Sequence, residues 1–121
     1  MRLAAVLQAM RKEPGVLPAR DVLWMATRAG ARTLGLEAEI GSLEVGKKAD
    51  VIVVDRDRPP LAPGPDPYST LVYAARGSDV RTTIVDGVLL VEDFTPLRVD
   101  RAEIAADARI AARQLASRAG L

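Results

Sequence analysis

The sequence predicts an α+β fold (α/β overall), with helices first, a few strands next and a helix last. Three observations support this order. Apolar residues recur at helical spacing in the first third, short β-branched runs occupy the middle, and helical spacing returns after residue 98. The chain has 121 residues, the length of one ordinary domain, and 49% of them are hydrophobic. This composition is too apolar for a disordered chain.

The first third predicts two helices. The first has its buried face at Leu3, Val6, Leu7 and Met10 and ends at Pro14-Gly15. Pro18 suits the entry of the second helix, and Asp21 favours the positive end of its dipole. Four further residues repeat the helical spacing: Val22, Met25, Ala26 and Ala29. Gly30 is predicted to interrupt this helix, and Ala31 to Leu34 to form one more turn, closed by Gly35.

Three strands are predicted in the middle of the chain. Val51–Val54 is a β-branched run of the kind found in strands covered on both faces. Val80–Val85 and Val88–Val91 flank Asp86-Gly87, which predicts a two-residue hairpin with a type I′ turn. Between the first two strands, Asp66-Pro67 opens a short helix that carries Leu71, Val72 and Ala75.

The last helix is predicted to begin at Asp100, which with Glu103 resembles a capping box. Its expected buried face consists of Ile104, Ala108, Ala111 and Leu115. Because alanine buries little area, we expect this helix to dock weakly.

Composition excludes several classes of function. The chain has no histidine and no cysteine, so it lacks the commonest metal ligand, the commonest general base near neutral pH, and any thiolate nucleophile. A net charge of +1 gives no long-range attraction for nucleic acid or anionic membranes, and we expect neither as a partner. Met1 to Val6 has no secretory signal, which predicts a cytoplasmic location.

Two charged clusters have both a functional and a structural interpretation. Asp50, Asp55 and Asp57 suggest a carboxylate site for a hard cation, but Asp50 and Asp55 bracket a strand and are better explained as strand-end and turn residues. Four cations suggest a phosphate contact, but acidic residues are interleaved and no aromatic platform accompanies them, which favours a solvated turn: Lys47, Lys48, Arg56 and Arg58. Gly46 is expected to supply a positive φ in that turn.

Three further features have a structural and a functional interpretation. Pro59–Pro67 is favoured as a structural crossing loop over a polyproline ligand. Trp24 is favoured as core packing between helices over an interface anchor. The helix bearing Tyr68, Ser69 and Tyr73 offers no nucleophile, because nothing near Ser69 is expected to take its proton. We therefore predict no catalytic residue and no metal ligand in this chain.

Residues 21–93 resemble the amidohydrolase superfamily, in particular the branch of chlorohydrolases and of deaminases that act on S-adenosylhomocysteine, methylthioadenosine and guanine. Four pieces in one order carry the likeness: Met25–Leu36 (MATRAGARTLGL), Ile40–Asp55 (IGSLEVGKKADVIVVD), Asp66–Ala75 (DPYSTLVYAA) and Val80–Val91. One such piece is weak support for the family. Four in family order and spacing are strong support.

The resemblance implies the last helices of a (β/α)₈ barrel in residues 1–36, part of a composite β-sandwich in 37–97 and a C-terminal helix in 98–121. It also implies a metal-dependent hydrolase, with zinc or iron, that hydrolyses C–N or similar bonds of nucleoside, purine or triazine-like substrates. Metal-bound hydroxide would attack a ring carbon and release ammonia or a related leaving group. The family's ligands, a His-x-His pair, two later histidines and an aspartate, precede the region that this chain resembles.

We therefore expect the chain to be the C-terminal portion of such an enzyme, inactive alone, with no cofactor of its own. The expected partner is the missing N-terminal portion or, through open apolar faces, a second copy of the chain. The alternative is a free-standing structural or interaction module derived from the same C-terminus.

Overall fold

Helices and a four-stranded antiparallel sheet make up the computed structural model, which describes residues 1–11, 15–57, 59–61, 64 and 66–120. The α-helices are α1 (Arg2–Arg11), α2 (Ala19–Trp24), α3 (Gly30–Thr33), α4 (Pro67–Ser69) and α5 (Arg101–Arg118). The strands are β1 (Val51–Val54), β2 (Val80–Val85), β3 (Val88–Glu92) and β4 (Thr95–Pro96), in that order across the sheet. Mixed helix and antiparallel strand confirms the predicted α+β class.

The second helix is continuous, which corrects the predicted interruption at Gly30. A π-helical turn, Met25–Ala29, joins α2 to α3, and Gly30 has helical angles of φ −60° and ψ −49°. The helix therefore passes through Gly30 without a break, and its only departure from α-helical geometry in this stretch is the π-helical turn. Gly35 closes the helix at φ +71°, as predicted, and the Leu36 N–H donates to the Ala31 carbonyl at 2.9 Å.

The described residues form a sheet of four strands, whereas three were predicted. β2 and β3 join at Asp86 and Gly87 with φ of +50° and +77°, which confirms the type I′ hairpin. A second tight turn, at Asp93 and Phe94 with φ of +44° and +64°, adds β4 to the edge. That turn lacks the glycine that would have marked it in the sequence.

Two helix starts are confirmed by their caps. The Asp66 carboxylate accepts hydrogen bonds from the N–H groups of Tyr68 (3.1 Å) and Ser69 (2.9 Å) at the start of α4, which continues as a π-helical turn through Ala74. The Asp100 carboxylate accepts from the Ala102 N–H at 2.7 Å, at the start of α5. Pro18 precedes α2, whereas Pro14 lies outside the described residues.

The core is small and lies among the helices. Ala5 of α1, Val22 of α2 and Val72, in the π-helical turn after α4, form one buried cluster with Leu17 and Ala19 packed against it. Leu61, within the proline-rich segment, is also buried. Ala62, Pro63 and Pro65 lie outside the described residues, so the crossing loop stays a prediction.

Three predicted buried faces are exposed within the described part of the chain. The face of α1 that was expected to pack is open to solvent, with Leu3 69% and Met10 78% exposed. Ile52 and Val53 of β1 are exposed, and no residue of the four strands is fully buried. The α5 face is exposed as well, with Leu115 at 63%. The apolar periodicity identifies these faces correctly, but none of the residues that the structure describes covers them.

No helix in the described residues is long and apolar enough to cross a bilayer.

Gly41 makes a close approach that no other residue would fit. It has φ +91°, and a Cβ on it would lie 2.7 Å from the Ala31 Cβ and 3.2 Å from the Thr27 carbonyl oxygen. Gly46 has a similar φ of +93°, which confirms the predicted positive φ, but a Cβ there would meet open space. Gly41 therefore lets the segment after the second helix lie directly on that helix.

We expect Gly41→Ala to reduce the free energy of unfolding more than Gly46→Ala does. Both substitutions place a side chain at positive φ, which costs about 1–2 kcal/mol of stability. Gly41→Ala also overpacks the helix, which costs roughly 1–3 kcal/mol more. Urea denaturation of the two variants measures the difference. Equal losses would contradict the close approach.

The α4 cap gives a second prediction, at acid pH. Hydrogen bonds from the Ser69 hydroxyl and the Ser69 backbone N–H hold the pKa of Asp66 below its ordinary value of 3.8. A lowered pKa means that the cap stabilises the fold above pH 3.8 and is lost as the pH falls through the folded value. Carboxyl-carbon NMR should give a midpoint below 3.8 for Asp66. Asp66→Asn should retain the cap and lose this acid dependence, whereas Asp66→Ala should lose the cap at every pH.

Candidate functional site: an apolar cleft between the helices and the sheet

An open cleft of about 630 Å³ separates the second helix from strand β1. We call it the apolar cleft; its main side chains are Leu23, Leu34, Leu43, Val51, Ile52 and Leu71. Leu34, Leu43 and Ile52 are exposed by 70%, 79% and 60%. Large apolar side chains that are this exposed and this close together are typical of surfaces that contact another protein segment.

The polar groups on the wall of the apolar cleft already have partners within the chain. The Thr27 hydroxyl donates to the Leu23 carbonyl at 2.8 Å. The Ser42 Oγ accepts from the Lys47 Nζ at 2.8 Å, and the Asp50 Oδ1 accepts from the Asp86 N–H at 2.7 Å. With these donors and acceptors engaged, the surface that the cleft offers is apolar. It is suited to packing rather than to chemistry.

The Asp50–Asp55 cluster consists of strand-end and turn residues, as predicted. Asp50 fixes the β2–β3 turn from the start of β1, and the Asp55 Oδ1 accepts from the Asp57 N–H at 3.0 Å at its end. In the described part of the chain, no three His, Cys, Asp or Glu side chains are grouped so as to hold a metal ion.

Lys47 corrects the prediction of a solvated turn. Its side chain is only 14% exposed, and its Nζ donates to the Glu37 carbonyl at 2.6 Å as well as to Ser42. The Ser42 hydroxyl, then the charge of Lys47, holds the pKa of Glu44 below its ordinary value. The ammonium group thus ties the loop before β1 together, a role that the basic run Lys47-Lys48 did not reveal.

Two further cations of this cluster, Lys48 and Arg56, are engaged too. Lys48 pairs with Glu39 at 2.9 Å, and that hydrogen bond raises the pKa of Lys48. The Arg56 Nη2 donates to the Gly64 carbonyl at 2.9 Å, while Arg58 lies outside the described residues. A phosphate contact would have to displace these interactions, so the geometry does not favour one.

Trp24 lies on the surface and not in a core of this chain. Its side chain is 49% exposed and borders a smaller cleft of about 330 Å³ with Arg28, Arg32 and Lys47. The Arg28 guanidinium pairs with Glu44 at 3.3 Å. The prediction of core packing is therefore wrong within the described chain, and the surface alternative fits the observed exposure.

A carboxylate does lie beside Ser69, contrary to the expectation that nothing near it takes a proton. That carboxylate is Asp66, whose lowered pKa makes it a weak base and whose oxygens cap α4. Tyr68 and Tyr73 are partly exposed, and the Arg20 guanidinium lies 5.8 Å from the centre of the Tyr68 ring. Asp66 and Ser69 thus serve the start of the helix.

Comparison with known proteins identifies the family. Residues 1–90 match the model of the amidohydrolase family. The chain belongs to the amidohydrolase family. It is 49% identical over 120 residues to 5′-deoxyadenosine deaminase of Methanosarcina acetivorans, and 52% identical over 104 residues to 5-methylthioadenosine/S-adenosylhomocysteine deaminase of Moorella thermoacetica. The first alignment covers 98% of this chain and 27% of the relative, the second 85% and 24%.

Solved structures agree with the family assignment. An adenosine deaminase of Xanthomonas campestris with bound zinc superposes with a TM-score of 0.91 at 33% identity, over 96% of this chain and 27% of that chain. Atrazine chlorohydrolase of Arthrobacter aurescens, complexed with zinc, gives 0.79 at 33% identity over 90% and 24%. The amidohydrolase chain described here thus spans about a quarter of the length of these relatives.

Dye binding should locate the exposed apolar surface. We expect an apolar fluorescent dye such as ANS to bind the isolated chain, because large side chains of the apolar cleft are open to solvent. Ile52→Thr combined with Leu43→Ser should reduce the fluorescence without reducing the helix content seen by circular dichroism. Val88→Thr, at an exposed strand position outside the cleft, is the matched control. An equal reduction in the control would contradict the assignment.

Proposed function

We propose that this chain is the C-terminal quarter of a metal-dependent amidohydrolase that deaminates adenosine-type nucleosides. Nearly the whole chain aligns with about a quarter of two nucleoside deaminases, and this observation carries the proposal. Residues 1–36 would then be the last barrel helices, residues 37–97 part of the composite sandwich, and residues 98–121 the C-terminal helix.

The donor groups of this chain do not fit the zinc ion of its structural relatives. The sequence contains no histidine and no cysteine, the ligands that zinc prefers together with carboxylate. The carboxylates of Asp50, Asp66 and Asp100 accept backbone hydrogen bonds, and Asp93 pairs with Arg81 at 2.5 Å. In this proposal the metal ligands come from another part of the enzyme, and this chain contributes no step of the reaction.

The chain would contribute shape and burial. The apolar cleft and the exposed faces of α1 and β1 would pack against the rest of the barrel and sandwich. Full burial of a Leu or Ile side chain contributes roughly 1.5–3 kcal/mol. Leu3, Leu43 and Ile52 are each at least 60% exposed. Their burial on docking would therefore stabilise the complex substantially.

A complementation assay tests the proposal. The isolated chain with zinc should release no ammonia from 5′-deoxyadenosine. Mixed with the Methanosarcina acetivorans deaminase lacking the quarter that this chain matches, it should restore ammonia release. Leu43→Asp should abolish restoration, because it places a charge in the apolar cleft. Val88→Asp, outside the cleft, should preserve it.

Two outcomes would count against the proposal. Turnover by the isolated chain would show an active site within it. Association with the truncated deaminase without ammonia release, together with cooperative unfolding of the free chain, would favour the alternative of a free-standing interaction module.

A further inference from the structure

We propose that helix α5 pairs with α5 of a second copy of this chain, in antiparallel orientation. This inference does not depend on the proposed function. The helix has 18 residues, is about 27 Å long, and ends beyond the region that matches the family model, which stops at residue 90. Within the described chain every residue of α5 is exposed except Ala105 and Ala116, which are half-buried.

One face of α5 has the spacing of a helix–helix seam. Its residues follow one another at intervals of four, three and four, the repeat that keeps one face against a partner helix: Ile104, Ala108, Ala111 and Leu115. Ile104 and Leu115 are equally far from the midpoint between residues 109 and 110, and so are Ala108 and Ala111. An antiparallel partner therefore places Ile104 against Leu115 of the second copy and alanine against alanine, which permits a close approach of the two helices.

Charge favours the same orientation. Residues 101–108 contain Glu103 and Asp107 against Arg101, a net charge of −1, whereas residues 109–118 contain Arg109, Arg113 and Arg118, a net charge of +3. This distribution also suits the dipole of a single helix. Antiparallel pairing adds attraction between unlike halves of two copies, whereas parallel pairing brings the three arginines of each copy together.

Sedimentation of the full chain at rising concentration tests the pairing. A seam this short predicts a weak, concentration-dependent dimer. Ile104→Glu should raise the dimer dissociation constant at least about tenfold. Ile110→Glu makes the same change outside the seam and should leave the dissociation constant unchanged. Both residues are about half exposed, at 53% and 45%, so neither substitution removes a buried side chain of the free chain. Circular dichroism checks that α5 remains helical in both.

Cross-linking tests the orientation, since the chain has no cysteine of its own. Ile104→Cys chains mixed with Leu115→Cys chains should form disulfide-linked mixed dimers and few like pairs, because like positions lie roughly 16 Å apart along an antiparallel pair. Three results would overturn the proposal: a monomer at every concentration, equal effects of the two glutamate substitutions, or cross-linking confined to like pairs.

Discussion

The contact of Ala5, Val22 and Val72 is the constraint on which the rest of the structure depends. These three side chains come from α1, from α2 and from the π-helical turn after α4, and their cluster holds these three segments together. All three residues are alanine or valine, so the cluster buries little area. Outside this cluster, the sheet and hydrogen-bonded turns and caps hold much of the described chain, and large apolar faces remain exposed.

Features that depend on a few neighbouring residues could be predicted from the sequence. Asp86-Gly87 specified its turn because both positions require a positive φ, and Asp66 and Asp100 specified helix starts because a carboxylate reaches the free N–H groups of the first turn. The turn at Asp93 and Phe94 was missed because it adopts the same conformation without the usual residues. The predicted break at Gly30 was wrong because glycine can also adopt helical angles, as Gly30 does after the π-helical turn.

What covers an apolar face could not be predicted, because periodicity reports polarity and not partners. The faces of α1, β1 and α5 were identified correctly as apolar, yet each is exposed in the described chain. The candidate site shows the same limit. The lack of histidine and cysteine predicts no zinc site within this chain. Only the structure shows that Lys47 binds Glu37 and Ser42 and that Thr27, Ser42 and Asp50 of the apolar cleft have hydrogen-bond partners.

Strand β1 forms one edge of the sheet in the described chain, and its sequence Val-Ile-Val-Val carries no charge. An edge of this kind is a template for a further strand, the first step of amyloid-like growth. Two features oppose it: the register shift between Val53 and Val54, and the carboxylates of Asp50 and Asp55 that bracket the strand. A further strand could therefore add to this edge only by accommodating the register shift and by placing its ends beside two carboxylates.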